Sequence, residues 1–382
     1  MTTLPFDRPH PLRPPPAYAE LRATEPVAAV TTSDGRPAWL VTSYDAVTAV
    51  LGDPRFGVMP PGSPPGQGAT LLQDGDPHRR LRRLVGGAFT PARIEALRPR
   101  ITRLAEAQAD ALLACGSPGD LVSGFAAPLS IAVIAELLGV ALEDRDRFRQ
   151  LADAAGSADF TTMDTAAEQA WGAFAEFVGG LIAAQRANLG EDLLSALIEE
   201  TGLSDYERTT LVLTILASGY LTATNAISVG ATLLLTEGRL AALADCTEEA
   251  LRATVEEVVR LQIGLIGEVF PRWALADLDL EGVRLRTGDL VLARLGSANR
   301  DPAHFAEPDE FRPRPSTEER HVAFGRGPHH CLGAALARLE LGIALRALAT
   351  KLPTLRLSGS VHDIDWVTAH ADTGPVAVGV SW

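Results

Sequence analysis

Along most of this chain apolar residues return at every third or fourth position, the period of a helix with one buried face. That spacing predicts helices over Ile94 to Leu113, Pro128 to Leu138, Ala170 to Ala187, Leu193 to Ile198, Glu207 to Leu235, Glu248 to Leu261 and Cys331 to Leu348, within a mostly helical stretch from His78 to about Leu355. A shorter helical run covers Tyr44 to Leu51. Strand-like alternation is confined to three places. From Pro26 an apolar strand leads through the turn Ser33-Asp34-Gly35 into Ala38-Trp39-Leu40-Val41-Thr42, a hairpin pattern. Leu278 to Leu292 carries the turns Glu281-Gly282 and Thr287-Gly288, and a last piece lies around Val376 to Val380.

The pattern predicts a mainly α protein with small peripheral β-sheets. Gly57 to Gly68 is dense in Pro and Gly, a long irregular loop of the kind that often carries function. Too little sequence precedes it to form a stable domain of its own. The expectation is therefore one large helical domain over residues 1–382, with a proline-rich arm at 1–20 and no fixed-period repeat.

Composition narrows the class. Of 382 residues, 46% are hydrophobic and 21% charged, enough apolar material for a large core and too little charge for disorder. The net charge of −14 disfavours nucleic acid as a partner, since phosphate binding relies on Lys and Arg. Three widely spaced cysteines, Cys115, Cys246 and Cys331, argue against a disulfide framework and suit a reducing cytoplasm. The N-terminus has no apolar core resembling a signal peptide. The apolar stretch Leu211 to Ala217 is interrupted by Thr214 and followed by Ser218 and Gly219, so no membrane span is expected.

The chemistry concentrates in Phe324-Gly325-Arg326-Gly327-Pro328-His329-His330-Cys331-Leu332-Gly333, a glycine-bracketed cysteine directly before an apolar helix. A thiolate ligand needs its charge stabilised and room for a flat cofactor to approach the chain. Gly325 and Gly327 permit a backbone path closed to other residues, and Gly333 lets a partner come close. An inert buried cysteine beside a tight turn is the plain alternative.

At every fixed position this string resembles the haem-binding signature of the cytochrome P-450 family, Phe-Gly-x-Gly-x-His-x-Cys-x-Gly. The resemblance implies Cys331 as the axial haem-iron ligand. It extends upstream. Glu257-Val258-Val259-Arg260 is similar to the family's Glu-x-x-Arg motif, although an i, i+3 pair of this kind is by itself an ordinary surface pair worth ~0.2–0.5 kcal/mol. The motif's third member is implied to be Arg314, with Arg312 as the fallback, because Phe311-Arg312-Pro313-Arg314 is one residue short of the pattern. By the same resemblance His78, Arg82, Arg272 and His329 surround two haem propionates, with Phe324, Gly325 and Gly333 completing the cofactor cradle. Arg79, Arg80 and Arg83 are left to face outward as a basic patch, suited to an acidic ferredoxin or flavodoxin or simply solvated.

Ser218-Gly219-Tyr220-Leu221-Thr222-Ala223 falls mid-helix, where Ser, Gly and Thr cost stability and call for a local reason. It resembles the family's Ala-Gly-x-Asp/Glu-Thr, in which an acid and an alcohol relay protons. Gly219 and Thr222 match, Ser218 replaces the alanine, and Leu221 replaces the acid. Leucine cannot act as a general acid, so proton supply falls to water, another side chain or the substrate. Resemblance also implies a substrate pocket lined by Leu221, Ala217, Phe160, Ile266, Trp366 and Val367, mostly apolar and suited to a lipophilic or aromatic molecule. Glu268 and His370 are candidate polar anchors.

The expected function is a soluble cytoplasmic haem-thiolate monooxygenase, a monomer by the family's default, oxidising a small molecule of secondary metabolism. Its implied cofactor is haem b, with electrons ultimately from NAD(P)H through the ferredoxin- or flavodoxin-type partner. Alternatives are oxidative C–C, C–N or C–O coupling without oxygen insertion, peroxide-driven oxidation, and a non-catalytic haem or ligand sensor.

Overall fold

The computed structural model describes residues 2–63, 71–140, 145–156, 165–262, 271–314, 321–367 and 374–382. The chain forms two compact units, each assembled from separate segments. Residues 1–67, 72–77 and 252–331 make the first; residues 68–71, 78–251 and 332–382 make the second.

The first unit is built on a six-stranded sheet. Its strands run in the order Thr2–Thr3, Val27–Thr31, Pro37–Val41, Leu290–Ala293, Arg272–Ala274 and Phe56–Gly57. The predicted hairpin is present, with Ala29 opposite Trp39 and Gly35 turning at φ +82. Pro37–Val41 then pairs in parallel with Leu290–Ala293, placing Trp39 opposite Val291. Alternation along the strand divides the apolar residues between two faces. Val41 and Val291 pack with Val47, Leu51, Phe56 and Phe305, whereas Leu40 and Leu292 pack with Leu4, Tyr18 and Val30. The strands Leu278–Leu280 and Val283–Leu285 form a second hairpin. Its two turn residues, Glu281 and Gly282, both have positive φ (49 and 80), as the tightest hairpin turns demand. The helix Tyr44–Gly52 starts on Ser43, whose hydroxyl accepts from the Ala46 N–H at 3.3 Å.

The second unit is organised around the long helix Asp205–Thr236. A reciprocal capping box, Ser204 with Glu207, begins it. Helices Ala127–Leu138, Arg145–Gly156, Thr165–Gln185 and Ala334–Lys351 pack around it, and Arg98–Cys115 lies against Ala334–Lys351. Small strands complete the unit: Arg356–Leu357, Gly379–Ser381 and Gly119–Asp120 in one sheet, and Trp366–Val367 with Gly374–Pro375 in another.

Two helix boundaries and the reach of the long helix differ from the sequence reading. The run over Ile94 to Leu113 is two helices, Pro91–Ala96 and Arg98–Cys115, because Pro99 fits the first turn of a helix and not its interior. The C-terminal helix starts at Ala334, not at the cysteine. The long helix does reach membrane-spanning length: among the described residues it alone is long and apolar enough, at 32 residues, with 61% of its most apolar window buried. That burial belongs to its own unit, where neighbouring helices cover it.

Close packing on the long helix is specific. A Cβ on Gly219 would lie 2.6 Å from the Ile134 side chain, and one on Gly156 would lie 2.7 Å from Leu221. Tyr220 is buried against Phe148 and donates to Asp153 at 2.7 Å. Beside this core the Glu340 carboxyl is buried on Ala334–Lys351; burial pushes its pKa up to about 8, and the nearby Ser130 hydroxyl offsets only part of that.

The unfolded chain loses this proton near the usual glutamate value while the folded one keeps it. The resulting stabilisation is complete below about pH 4 and declines by about 1.4 kcal/mol per pH unit until about pH 8. Glu340→Gln, which cannot ionise, is expected to flatten that slope and to gain on the wild type at the alkaline end, as read by chemical denaturation across this range. Parallel pH profiles for the two proteins would exclude this account.

Candidate functional site

The centre of the first unit's chemistry is a buried carboxylate. Helix Glu248–Gln262 places Glu257 and Arg260 one turn apart, and their side chains are 3% and 2% exposed. Arg260 grips Glu257 with two bonds, Nε to Oε2 at 2.8 Å and Nη2 to Oε1 at 2.7 Å. The Nη1 of Arg314 reaches both carboxylate oxygens at 2.9 Å. Arg312 contributes differently: its backbone N–H donates to Glu257 at 2.8 Å, while its guanidinium pairs with Glu307 near the surface.

This network reaches the cysteine loop through the backbone. Arg260 also donates to the carbonyls of Asn299 at 2.8 Å and Pro308 at 2.7 Å. The side-chain oxygen of Asn299 in turn accepts the Val322 N–H at 2.7 Å, two residues before Phe324. From there Gly325 N–H donates to Val322 O and Cys331 N–H to Phe324 O, both at 2.8 Å, closing the loop. Gly325 and Gly327 sit at φ +70 and +73, the conformation expected of them. A side chain at Gly327 is excluded twice over, since its Cβ would lie 2.5 Å from the Leu51 carbonyl. Phe324 is half-buried, and the loop presents Cys331 exposed. Gly333, at the start of the following helix, has open space where a side chain would stand.

His329 does not stand alone in this loop. Its Nε2 lies 3.1 Å from Asp74 Oδ1, and the other Asp74 oxygen accepts from Val58 N–H at 2.8 Å and Met59 N–H at 3.2 Å. Burial works to raise the Asp74 pKa, but His329 and the two N–H donors outweigh it and hold the carboxyl below its ordinary value. Arg272 is buried in the same neighbourhood; desolvation lowers its pKa and the charge of Asp74 raises it, with a net lowering. Asp74 escaped the sequence reading. Its only signal was an acid just before the arginine-rich helix.

That helix, Gly75–Gly86, buries His78, Leu81 and Val85 and leaves Arg82 half-buried one turn beyond His78. Arg79 and Arg83 are exposed. Arg80 departs from the outward-facing expectation: it donates to the Gly202 carbonyl at 2.9 Å and pairs with Glu207 at the start of the long helix. On the long helix Ser218 and Thr222 are exposed although its other mid-helix residues are largely buried. Their hydroxyls donate back to the carbonyls of Thr214 at 2.6 Å and Ser218 at 2.7 Å. Gly219 faces Ile134, which gives it a packing reason of its own. Ala217 is buried, and Leu221 is half-buried against Gly156. Trp366 is half-buried on the strand Trp366–Val367, whose partner strand places Gly374 against Asn225 of the long helix. Phe160, Ile266, Glu268 and His370 lie outside the described residues, as does the side chain of Val367.

A glycine-shaped cysteine loop tied to a buried Glu-x-x-Arg network, together with the long helix and its exposed hydroxyls, defines a class. The chain belongs to the cytochrome P450 family, whose members are haem-dependent oxidoreductases of the monooxygenase type. The cytochrome P450 family model matches residues 247–351. Across 99% of its length the chain is 40% identical to mycinamicin IV hydroxylase/epoxidase of Micromonospora griseorubida, covering 98% of that protein. Its fold is similar to that of CYP105P1 in complex with filipin I, with a TM-score of 0.90 and 36% identity over 100% of this chain and 98% of the other. It is similar also to SgvP, a putative thioether synthase involved in the tailoring step of griseoviridin, with a TM-score of 0.89 and 36% identity over 100% and 99%.

The two arginines near Glu257 separate cleanly by experiment. Arg314→Ala removes a guanidinium from a buried carboxylate and is expected to cost about 3 kcal/mol. Arg312→Ala cuts an exposed pair and should change stability by less than about 0.5 kcal/mol. Urea unfolding of both variants measures this, and equal losses would remove the distinction.

Proposed function

We propose that this protein oxidises a lipophilic or aromatic small molecule of secondary metabolism, with haem b held by the Cys331 thiolate. The observation that carries the reading is the exposed cysteine on a loop whose backbone two left-handed glycines shape. The open space at Gly333 and the buried cation Arg272 suit a flat cofactor with carboxylate tails. When bound, haem supplies the redox centre at which dioxygen is activated. The chain's residues do the rest. His78, Arg82, Arg272 and His329 bind the propionates, and Phe324, Gly325 and Gly333 shape the surface against which the macrocycle lies. Glu257, Arg260 and Arg314 hold the loop still.

Ser218 and Thr222 hold protons at their Oγ atoms, each now committed to a carbonyl and free to re-aim when water or substrate offers a better acceptor. Leu221 contributes apolar surface and no proton. Its place there favours a second outcome, oxidative coupling with no oxygen retained, a chemistry in keeping with the putative thioether synthase that this fold resembles. Electrons come from NAD(P)H through a ferredoxin- or flavodoxin-type donor, which docks on the exposed Arg79 and Arg83. The protein acts in the cytoplasm as a monomer.

Two measurements test this. Reduced protein under carbon monoxide is expected to show the red-shifted Soret band of a thiolate-bound haem, and Cys331→Ala to lose it; a variant that keeps the band would overturn Cys331 as ligand. For any small molecule that shifts the haem spectrum, turnover with ferredoxin, reductase and NAD(P)H should give a product heavier by one oxygen. Loss of two hydrogens would instead select coupling, and turnover only with peroxide would displace the electron partner.

A further inference from the structure

Asp74 sits where three parts of the first unit meet. One oxygen, Oδ2, holds the backbone N–H groups of Val58 and Met59, at the head of the Pro/Gly-rich stretch that follows the edge strand Phe56–Gly57. The fit is tight, since a Cβ on Gly57 would lie 2.6 Å from that oxygen. The other oxygen takes the Nε2 of His329, two residues before Cys331. The charge of Asp74 also acts on the buried guanidinium of Arg272, on the strand that pairs with Phe56–Gly57. One carboxylate thus ties a loop outside the cysteine segment to His329, a group that the proposed function assigns to the propionates.

We infer that Asp74 is a positioning residue for the cofactor's carboxylates, joining the Val58–Met59 loop to the cysteine loop and adding a fixed negative charge beside His329. The inference rests on the haem-thiolate reading above. By engaging Nε2, Asp74 sets the orientation of the His329 ring. Extra negative charge near a haem makes reduction harder, so Asp74 holds the reduction potential down. Because the same carboxylate holds Val58 and Met59, displacement of that loop is felt at His329.

The test uses the full-length, haem-loaded protein and the variants Asp74→Asn, Asp74→Glu and Asp74→Ala. Asparagine keeps an oxygen that can accept from Val58 and Met59 but carries no charge, so it separates loop capping from electrostatics. Spectroelectrochemical titration is expected to show a positive shift in the reduction potential for Asp74→Asn and for Asp74→Ala, with Asp74→Glu closer to the wild type. Haem transfer to apomyoglobin should be about threefold faster or more in the two uncharged variants, in line with loss of a charge-assisted hydrogen bond at a half-buried site. An unchanged potential in Asp74→Asn would overturn the inference, leaving Asp74 as a loop cap whose effect shows only in Asp74→Ala as faster proteolysis after Phe56. If Asp74→Ala fails to fold, Asp74→Asn against Asp74→Glu still decides. A wild type showing the thiolate band while Asp74→Asn keeps its potential would sink this inference alone; absence of the band would sink the haem-thiolate reading itself.

Discussion

Burying Glu257 sets the terms for the first unit. An ionised carboxylate that is 3% exposed is tolerated only when its oxygens are fully engaged, and breaking such an arrangement leaves an uncompensated charge. Two guanidiniums and one backbone N–H meet that demand. The arginines have donors to spare, and Arg260 spends them on the carbonyls of Asn299 and Pro308. Asn299 then fixes Val322, and Val322 O receives Gly325. A single desolvated charge thereby orders segments some fifty residues apart along the chain and delivers a rigid start to the cysteine loop. What this contributes is placement more than net stability, since well-packed apolar residues often match a buried ion pair in energy.

On the long helix the governing constraint is space rather than charge. Gly219 is small because Ile134 needs the room, and Leu221 finds its own room over Gly156. The exposed Ser218 and Thr222 point elsewhere, so the helix packs on one face and presents these hydroxyls on another. Back-bonding of the hydroxyls keeps them satisfied meanwhile. This separation explains how a leucine can stand at the position of the family's acid without disturbing the helix.

Long, strongly periodic segments were the most legible. The long helix, Glu248–Gln262 and the hairpin around Ser33-Asp34-Gly35 lie where the apolar period placed them. The break at Leu97 and the Ala334 start were less so, because end positions depend on where backbone donors find partners. In the Phe324 to Gly333 string the two turning glycines, Gly325 and Gly327, were legible, because φ above zero is a local property that glycine alone announces freely. Asp74 and the engagement of Arg80 were not, since each depends on partners far along the chain: His329 for one, Gly202 and Glu207 for the other.

By itself, then, the sequence determined the helical class and the two glycines, Gly325 and Gly327, that shape the Cys331 loop. These follow from period, residue chemistry and backbone freedom, all of which are local. Only the tertiary structure decided that Arg314 and not Arg312 closes on Glu257 with its side chain, that Gly219 answers to Ile134, and that Asp74 holds His329. Pairings of that kind depend on which groups are brought together out of water: resemblance ranked Arg314 ahead of Arg312, and burial separates the two.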